Sequence, residues 1–267
     1  MPIYAEKRII FQTNLEAALQ ELWAGECSGI VRIPDPDVEV VPGVAWGMAE
    51  VPNTPAYWAI RCRWEDANPD YVTKKASLAE EAGFCLLGGY GIKYEVNAAA
   101  FERLRAASVF DLDAPMTESE ILDLLLHPLC VNERQIRYRF PNQRARRLVA
   151  MRDRLRKFAS SVRDPFQMRA ALLSIEGIGP KTASWIVRNI LGSDEVAIID
   201  IHILRACTIM GVFPSDIRLP RDYEPLERRF IAFSNAIAVR PSVLDAVMWS
   251  EMRSIPASSW SRQRLDS

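Results

Sequence analysis

The spacing of hydrophobic positions changes character near residue 70. From Thr73 onward, apolar residues recur every three or four positions, as in helices with one buried face. Gly88-Gly89, Pro115, Pro128, Pro141, Gly177, Gly179, Gly192, Gly211 and Pro241 punctuate that pattern. It predicts helices over 74–88, 97–106, 117–126, 141–158, 165–174, 181–191, 201–210, 222–238 and 242–252. The first 70 residues are mixed. A helix is expected over 11–20, with short β-type runs at 29–33 and 38–41 broken by Pro34, Pro36 and Pro42. Thr54-Pro55 is a helix-start signal. After it, Trp58, Ile60, Cys62 and Trp64 alternate at period two, so helix and strand compete, and a helix is the expectation adopted. Residues 66–70 form a turn-like linker. The organisation expected is an extension of mixed structure over 1–72, a mostly α domain over 73–253, and a polar, loosely held tail over 254–267.

Composition excludes more than it selects. With 267 residues, 49% hydrophobic and 25% charged, the chain can bury a sizeable core. The net charge of -1 does not advertise nucleic-acid binding, but its distribution does. Between Val131 and Arg169 twelve Lys/Arg face three acids. Such a stretch is either a solvated helix face or the footprint of a polyanion. The five cysteines (Cys27, Cys62, Cys85, Cys130 and Cys207) form no CxxC and no Cys/His cluster, so no metal or other cofactor is expected. Scattered thiols fit a reducing cytosol, and no run approaches 18 apolar residues, so a cytoplasmic monomer is expected.

The chemistry concentrates in Ile175-Glu176-Gly177-Ile178-Gly179-Pro180-Lys181 and in Asp200. A Gly-x-Gly turn opening a helix exposes N–H groups suited to a phosphate, although the same turn also joins ordinary helices. Winding 181–191 at helical pitch gathers Ala183, Ile186, Val187 and Ile190 on one face. Lys181, Ser184, Trp185 and Arg188 gather on the opposite face. Trp185 therefore neighbours Lys181, and its partner is either a packing surface or a flat ligand such as a nucleobase. The apolar run 196–199 delivers Asp200 to the start of a helix. There it can cap, and it can also serve a nearby amine as a base or as an electrostatic stabiliser.

These residues carry a resemblance. Residues 177–205, GIGPKTASWIVRNILGSDEVAIIDIHILR, resemble the helix-hairpin-helix DNA glycosylase superfamily, closest to the 8-oxoguanine DNA glycosylase/AP lyases of the prokaryotic type 2 branch. Arg139-Phe140-Pro141-Asn142-Gln143-Arg144-Ala145 and Leu244-Asp245-Ala246-Val247-Met248-Trp249 are similar to two further stretches of that branch. The resemblance spans about 74–252. It implies two helical subdomains flanking a DNA-binding cleft with a helix-hairpin-helix motif. It implies Lys181 as nucleophile at a sugar carbon, forming a Schiff base that permits β-elimination, with Asp200 assisting. Gly177, Gly179, His202, Arg188, Arg144 and Arg147 would meet DNA, although His202 also reads as a helix-surface histidine. Trp185 and Trp249 would line the base pocket. Tyr90 is a wedge candidate for the gap left by a flipped nucleotide, although loop packing serves as well.

The chain departs from that pattern in three places. Its first 70 residues have no counterpart in the short relatives, the C-terminal pocket lysine is absent, and position 185 is Trp. Three functions stay open at this point. The leading one is a bifunctional glycosylase/AP lyase for an oxidised or modified purine, with 8-oxoguanine the best guess. The second is a same-fold glycosylase for another, bulkier base. The third is a non-catalytic DNA-binding module.

Overall fold

The computed structural model of the chain describes residues 34–66, 75–89, 91–157 and 162–254, and of 64–66 only the backbone. The elements expected at 11–20 and 29–33, the wedge candidate Tyr90 and the tail beyond 254 lie outside these residues. Two compact units emerge. One joins residues 1–72 to 194–267, and the other is 73–193. Among the described residues the architecture is mostly helical, with two short antiparallel hairpins.

The 73–193 unit begins with α2 (Leu78–Leu87) and α3 (Tyr94–Ala106), followed by α4 (Glu118–Leu126). After a hairpin of β3 (Leu129–Val131) and β4 (Arg134–Ile136) come α5 (Pro141–Lys157), α6 (Pro165–Leu173) and α7 (Pro180–Leu191). Local chemistry sets the starts. Ser77 caps α2, Thr117 and Glu120 form a capping box on α4, and Asp164 caps α6 ahead of Pro165. The β3–β4 hairpin, which the helical periodicity did not predict, turns through Asn132 and Glu133, both at positive φ. That is the backbone of a two-residue primed turn, usually signalled by Asn-Gly. Glu133 hides the signal.

Three arginines tie this unit's loops together. Arg103 donates to the carbonyls of Leu124, His127 and Pro128. Arg152, 1% exposed, donates to those of Val109, Asp111 and Ala114. Arg156 reaches Leu112 O and Ala114 O. Part of the basic excess of 131–169 therefore satisfies buried or loop carbonyls.

The other unit starts with a hairpin of β1 (Glu39–Val41) and β2 (Val44–Ala45), turned by Pro42-Gly43 with Gly43 at φ +79. Then come α1 (Pro55–Asp66) and, after 194, α8 (Ile201–Met210), α9 (Tyr223–Ala236) and α10 (Pro241–Met252). The segment whose periodicity was split between helix and strand is α1. Thr54 Oγ1 accepts from Tyr57 N at its start, and Trp58 is buried. Trp46, Trp58, Phe230, Phe233, Leu244 and Met248 share one core cluster, each side chain contributing about 1.5–3 kcal/mol by burial. Asn53 fastens the early segment to the late one: it accepts from Trp58 Nε1 at 2.9 Å and donates to Ala206 O at 3.2 Å. Tyr57 and Arg61 both bind Glu251 on α10. Among the described residues no single helix is long and apolar enough to cross a membrane.

Candidate active site

The hairpin between α6 and α7 has a turn that only glycine fits. Gly177 sits at φ +93, and a Cβ there would come within 2.9 Å of Arg147 Cδ and 3.1 Å of Leu86 Cδ2. Ile175 and Ile178 are buried on either side and anchor the turn. Gly179, in extended backbone, opens on empty space, with nothing within 4 Å of its Cβ position. Pro180 then starts α7, where its missing N–H costs nothing. The first-turn N–H groups and the dipole of α7 therefore face an accessible approach suited to an anion. Glu176 takes Arg146 at 2.9 Å and Arg147 at 3.3 Å, and these pairings hold its carboxyl below the usual range.

Lys181, on the first turn of α7, is exposed. One turn on, Trp185 is half-buried. The helical wheel put Ser184 and Arg188 on the same open face, and the structure corrects this. Both are buried, at 0% and 6% exposure, on a helix that packs against both α2 and α6. Facing α7 from α2 is a residue the sequence reading missed, Glu81, 1% exposed. Its Oε1 accepts from Trp185 Nε1 at 3.0 Å and from Asn189 Nδ2 at 2.7 Å, and its Oε2 accepts from Lys75 N at 3.1 Å. The Arg188 guanidinium lies 5.7 Å from the Trp185 ring centroid. Cys85, one turn beyond Glu81, has its thiol pushed up, first by burial and then by Glu81, against the pull of Lys181 and Lys75.

The loop after α2 is braced by the start of α5. Arg144, 8% exposed, donates from Nη2 to Gly88 O at 2.9 Å. Gly91, at φ +80, leaves room for Arg139, whose Nη1 would lie 2.5 Å from a Cβ there. Arg144 thus supports this loop, and Arg147 lies against Gly177.

In the other unit, the approach to Asp200 joins no sheet among the described residues, and Asp200 N turns back to Ile198 O at 3.1 Å. Side chains replace the ladder. Ala197 N donates to Glu227 Oε1, Ile198 N to Asp245 Oδ2 and Ile199 N to Tyr223 Oη, at 3.0, 3.0 and 3.1 Å. Tyr223 Oη also donates to Ala197 O at 2.9 Å. All three side chains are at most 3% exposed. This satisfies a buried backbone that has no strand partner. Asp200 then caps α8, its Oδ1 accepting from His202 N at 2.8 Å and Ile203 N at 3.0 Å. Among the described residues its Oδ2 takes no hydrogen bond, which leaves one carboxylate oxygen for chemistry. His202 is half-buried, and its Nδ1 is buried without a hydrogen-bond partner among the described residues. Trp249 on α10 is 39% exposed, with the Arg253 guanidinium 4.4 Å from its ring centroid. Lys181 belongs to the 73–193 unit and Asp200 to the other. Among the described residues no group of three His, Cys, Asp or Glu is arranged to hold a metal.

The family model described as 8-oxoguanine DNA glycosylase matches residues 67–239. The chain is 37% identical over 118 residues to the 8-oxoguanine DNA glycosylase/AP lyase of Metallosphaera sedula, covering 42% of this chain and 57% of that one. It is 30% identical over 133 residues to the same-named protein of Thermotoga petrophila, covering 47% and 62%. The chain thus spans less than two thirds of these relatives' length. The crystal structure of the 3-methyladenine DNA glycosylase of H. pylori, bound to 1,N6-ethenoadenine, superposes with a TM-score of 0.50 at 19% identity. That match covers 78% of this chain and 97% of that one, a likeness of fold.

Proposed function

The chain belongs to the 8-oxoguanine DNA glycosylase family, and from that premise we propose that it is a bifunctional DNA glycosylase/AP lyase that excises an oxidised or modified purine from duplex DNA, 8-oxoguanine foremost. The observation that carries the reading is Lys181, an exposed amine on the first turn after a glycine hairpin suited to phosphate. A purely hydrolytic enzyme has no need of an amine there.

In this reading Lys181 Nζ forms a bond to the deoxyribose C1′ as the bond to the base breaks, and the base leaves with the electron pair and a proton. The C1′–O4′ bond then breaks, its electron pair going to O4′, which takes a proton, and the open-chain iminium so formed acidifies the C2′ proton. Its removal expels the 3′ phosphate, giving strand scission, and water later releases the lysine. Asp200 Oδ2 accepts a proton from the lysine and stabilises positive charge on the sugar. The first turn of α7, with Gly177 and Gly179, holds a backbone phosphate, and His202 and the accessible arginines of 131–169 hold others. No bound cofactor supplies a step.

Trp185 favours a second reading of the substrate alone. A large ring one turn from the nucleophile shapes a pocket for a bulkier modified base. Duplexes carrying 8-oxoguanine or other modified purines, each opposite C, A, G and T, distinguish the two by the yield of nicked product. The leading reading expects fastest excision of 8-oxoguanine. Uniformly faster excision of a bulkier base favours the second. Tight duplex binding without excision of any base defeats both.

A further inference from the structure

We propose that Glu81 is a positioning residue that pins the indole of Trp185, so that this wall discriminates bases by stacking and shape and not by a hydrogen bond from the indole. The inference deepens the function proposed above and rests on it for the identity of the ligand, a flat heteroaromatic base.

The indole has one polar atom, a donor with a single proton. In Trp185 that proton is already given to Glu81 Oε1 at 3.0 Å. Glu81 is 1% exposed, and burial makes its bonds costly to break. The same oxygen holds Asn189, one turn past Trp185 on α7, and the other oxygen holds Lys75 N. Asn189 is itself 2% exposed. One carboxylate therefore ties α2, the segment before it and two successive turns of α7 into a single buried network. A base that took the indole proton would leave Glu81 Oε1 short of a bond inside the protein. Trp185 can then offer only its ring, held at a fixed angle one turn from Lys181, and a fixed aromatic plate selects for shape.

The test has two arms that fail separately. The first is independent of activity: solvent exchange of the Trp185 indole proton, assigned by its loss in Trp185→Phe. The pinned indole exchanges about tenfold or more slower than in Glu81→Ala, with Glu81→Gln, which keeps an acceptor, between them. Exchange in the wild type as fast as at an exposed indole overturns the inference whatever the protein cleaves.

The second arm compares base selectivity, as a ratio of kcat/KM for two modified purines, with cleavage of a duplex carrying a preformed abasic site. Abasic cleavage needs Lys181 but no base pocket. Glu81→Ala lowers the selectivity ratio by about tenfold while abasic cleavage falls by under about threefold, and Glu81→Gln restores most of the ratio. Trp185→Phe, which keeps a ring and loses the donor, costs about threefold or less in selectivity, against about tenfold or more for Trp185→Ala. Equal losses in Trp185→Phe and Trp185→Ala, or parallel losses of selectivity and abasic cleavage in Glu81→Ala, overturn it. A wild type that cleaves no abasic duplex defeats the parent function and leaves the exchange result to decide the pinning.

Discussion

Tyr223→Phe removes one oxygen atom, opens almost no cavity and tests how the approach to Asp200 is held. The hydroxyl accepts from Ile199 N and donates to Ala197 O, and all three residues are at most 3% exposed. Its loss strands a buried N–H and removes a donor from a buried carbonyl. Each unsatisfied group costs about 1–3 kcal/mol, and the carbonyl, with two lone pairs, sits at the low end, so about 2–4 kcal/mol is expected. For a chain of this size that lowers the melting temperature by about 4–12 °C. Tyr57→Phe is the control. It also deletes one hydroxyl, but near the surface and against a side chain, Glu251, that keeps Arg61 as partner, so about 0.5–1 kcal/mol is expected. Thermal unfolding of wild type and both variants, followed by circular dichroism at neutral pH, reads the difference. A Tyr223→Phe protein melting within about 2 °C of wild type, or a larger loss in Tyr57→Phe, refutes the claim that side chains stand in for a sheet here.

Three other outcomes follow from the same structure. Asp200→Asn caps α8 nearly as well as aspartate and loses under about 0.5 kcal/mol, whereas excision falls about a hundredfold or more; near-normal excision would leave Asp200 only a cap. Gly177→Ala costs more than about 1 kcal/mol at φ +93, with Arg147 and Leu86 in the way, whereas Gly179→Ala, with ordinary φ and open space, costs less; denaturant midpoints rank the two, and the reverse order contradicts the hairpin geometry. Burial lifts the Tyr138 hydroxyl from 10.0 to about 12, against the opposing pull of Arg144. Between those values the unfolded chain releases a proton that the folded chain keeps. This stability is complete below pH 10 and is lost as pH rises toward 12. Melting temperatures from pH 9 to 11 therefore fall less steeply in Tyr138→Phe, and an equal slope rejects the assignment.

How far the sequence carried the structure depended on where the deciding interaction lies. Helix starts were legible because their causes are local: Thr117 with Glu120, Asp164 with Pro165, Pro180 after Gly179, and Asp200 before Ile201 all act within a few residues. The places of Lys181 on the first turn of α7 and of Asp200 at the start of α8 were legible for the same reason. Long-range features were not. Periodicity finds the most apolar face of α7 but not how many neighbours it has, so the face of Ser184 and Arg188 reads as open although both are buried. In the sequence Glu81 is one of two adjacent acids, and only the fold shows it facing Trp185 and Asn189. One local signal was available, because Ala79, Ala82 and Gly83 around it mark a side of α2 that packs closely. The apolar run 196–199 gives no sign of its partners Glu227, Asp245 and Tyr223, which lie 24 to 47 residues away. Composition also does not reveal which basic residues turn inward: Arg144 and Arg152 satisfy carbonyls inside the protein.

Borohydride trapping tests the central claim most directly. The full chain is incubated with duplex DNA bearing 8-oxoguanine opposite cytosine, reduced in place and digested, and the modified peptide is mapped by mass spectrometry. A covalent adduct on Lys181, absent in Lys181→Gln while that variant still folds and binds the duplex, is the expected result. Base excision that persists with no trapped adduct, or an adduct on another residue in the wild type, contradicts it.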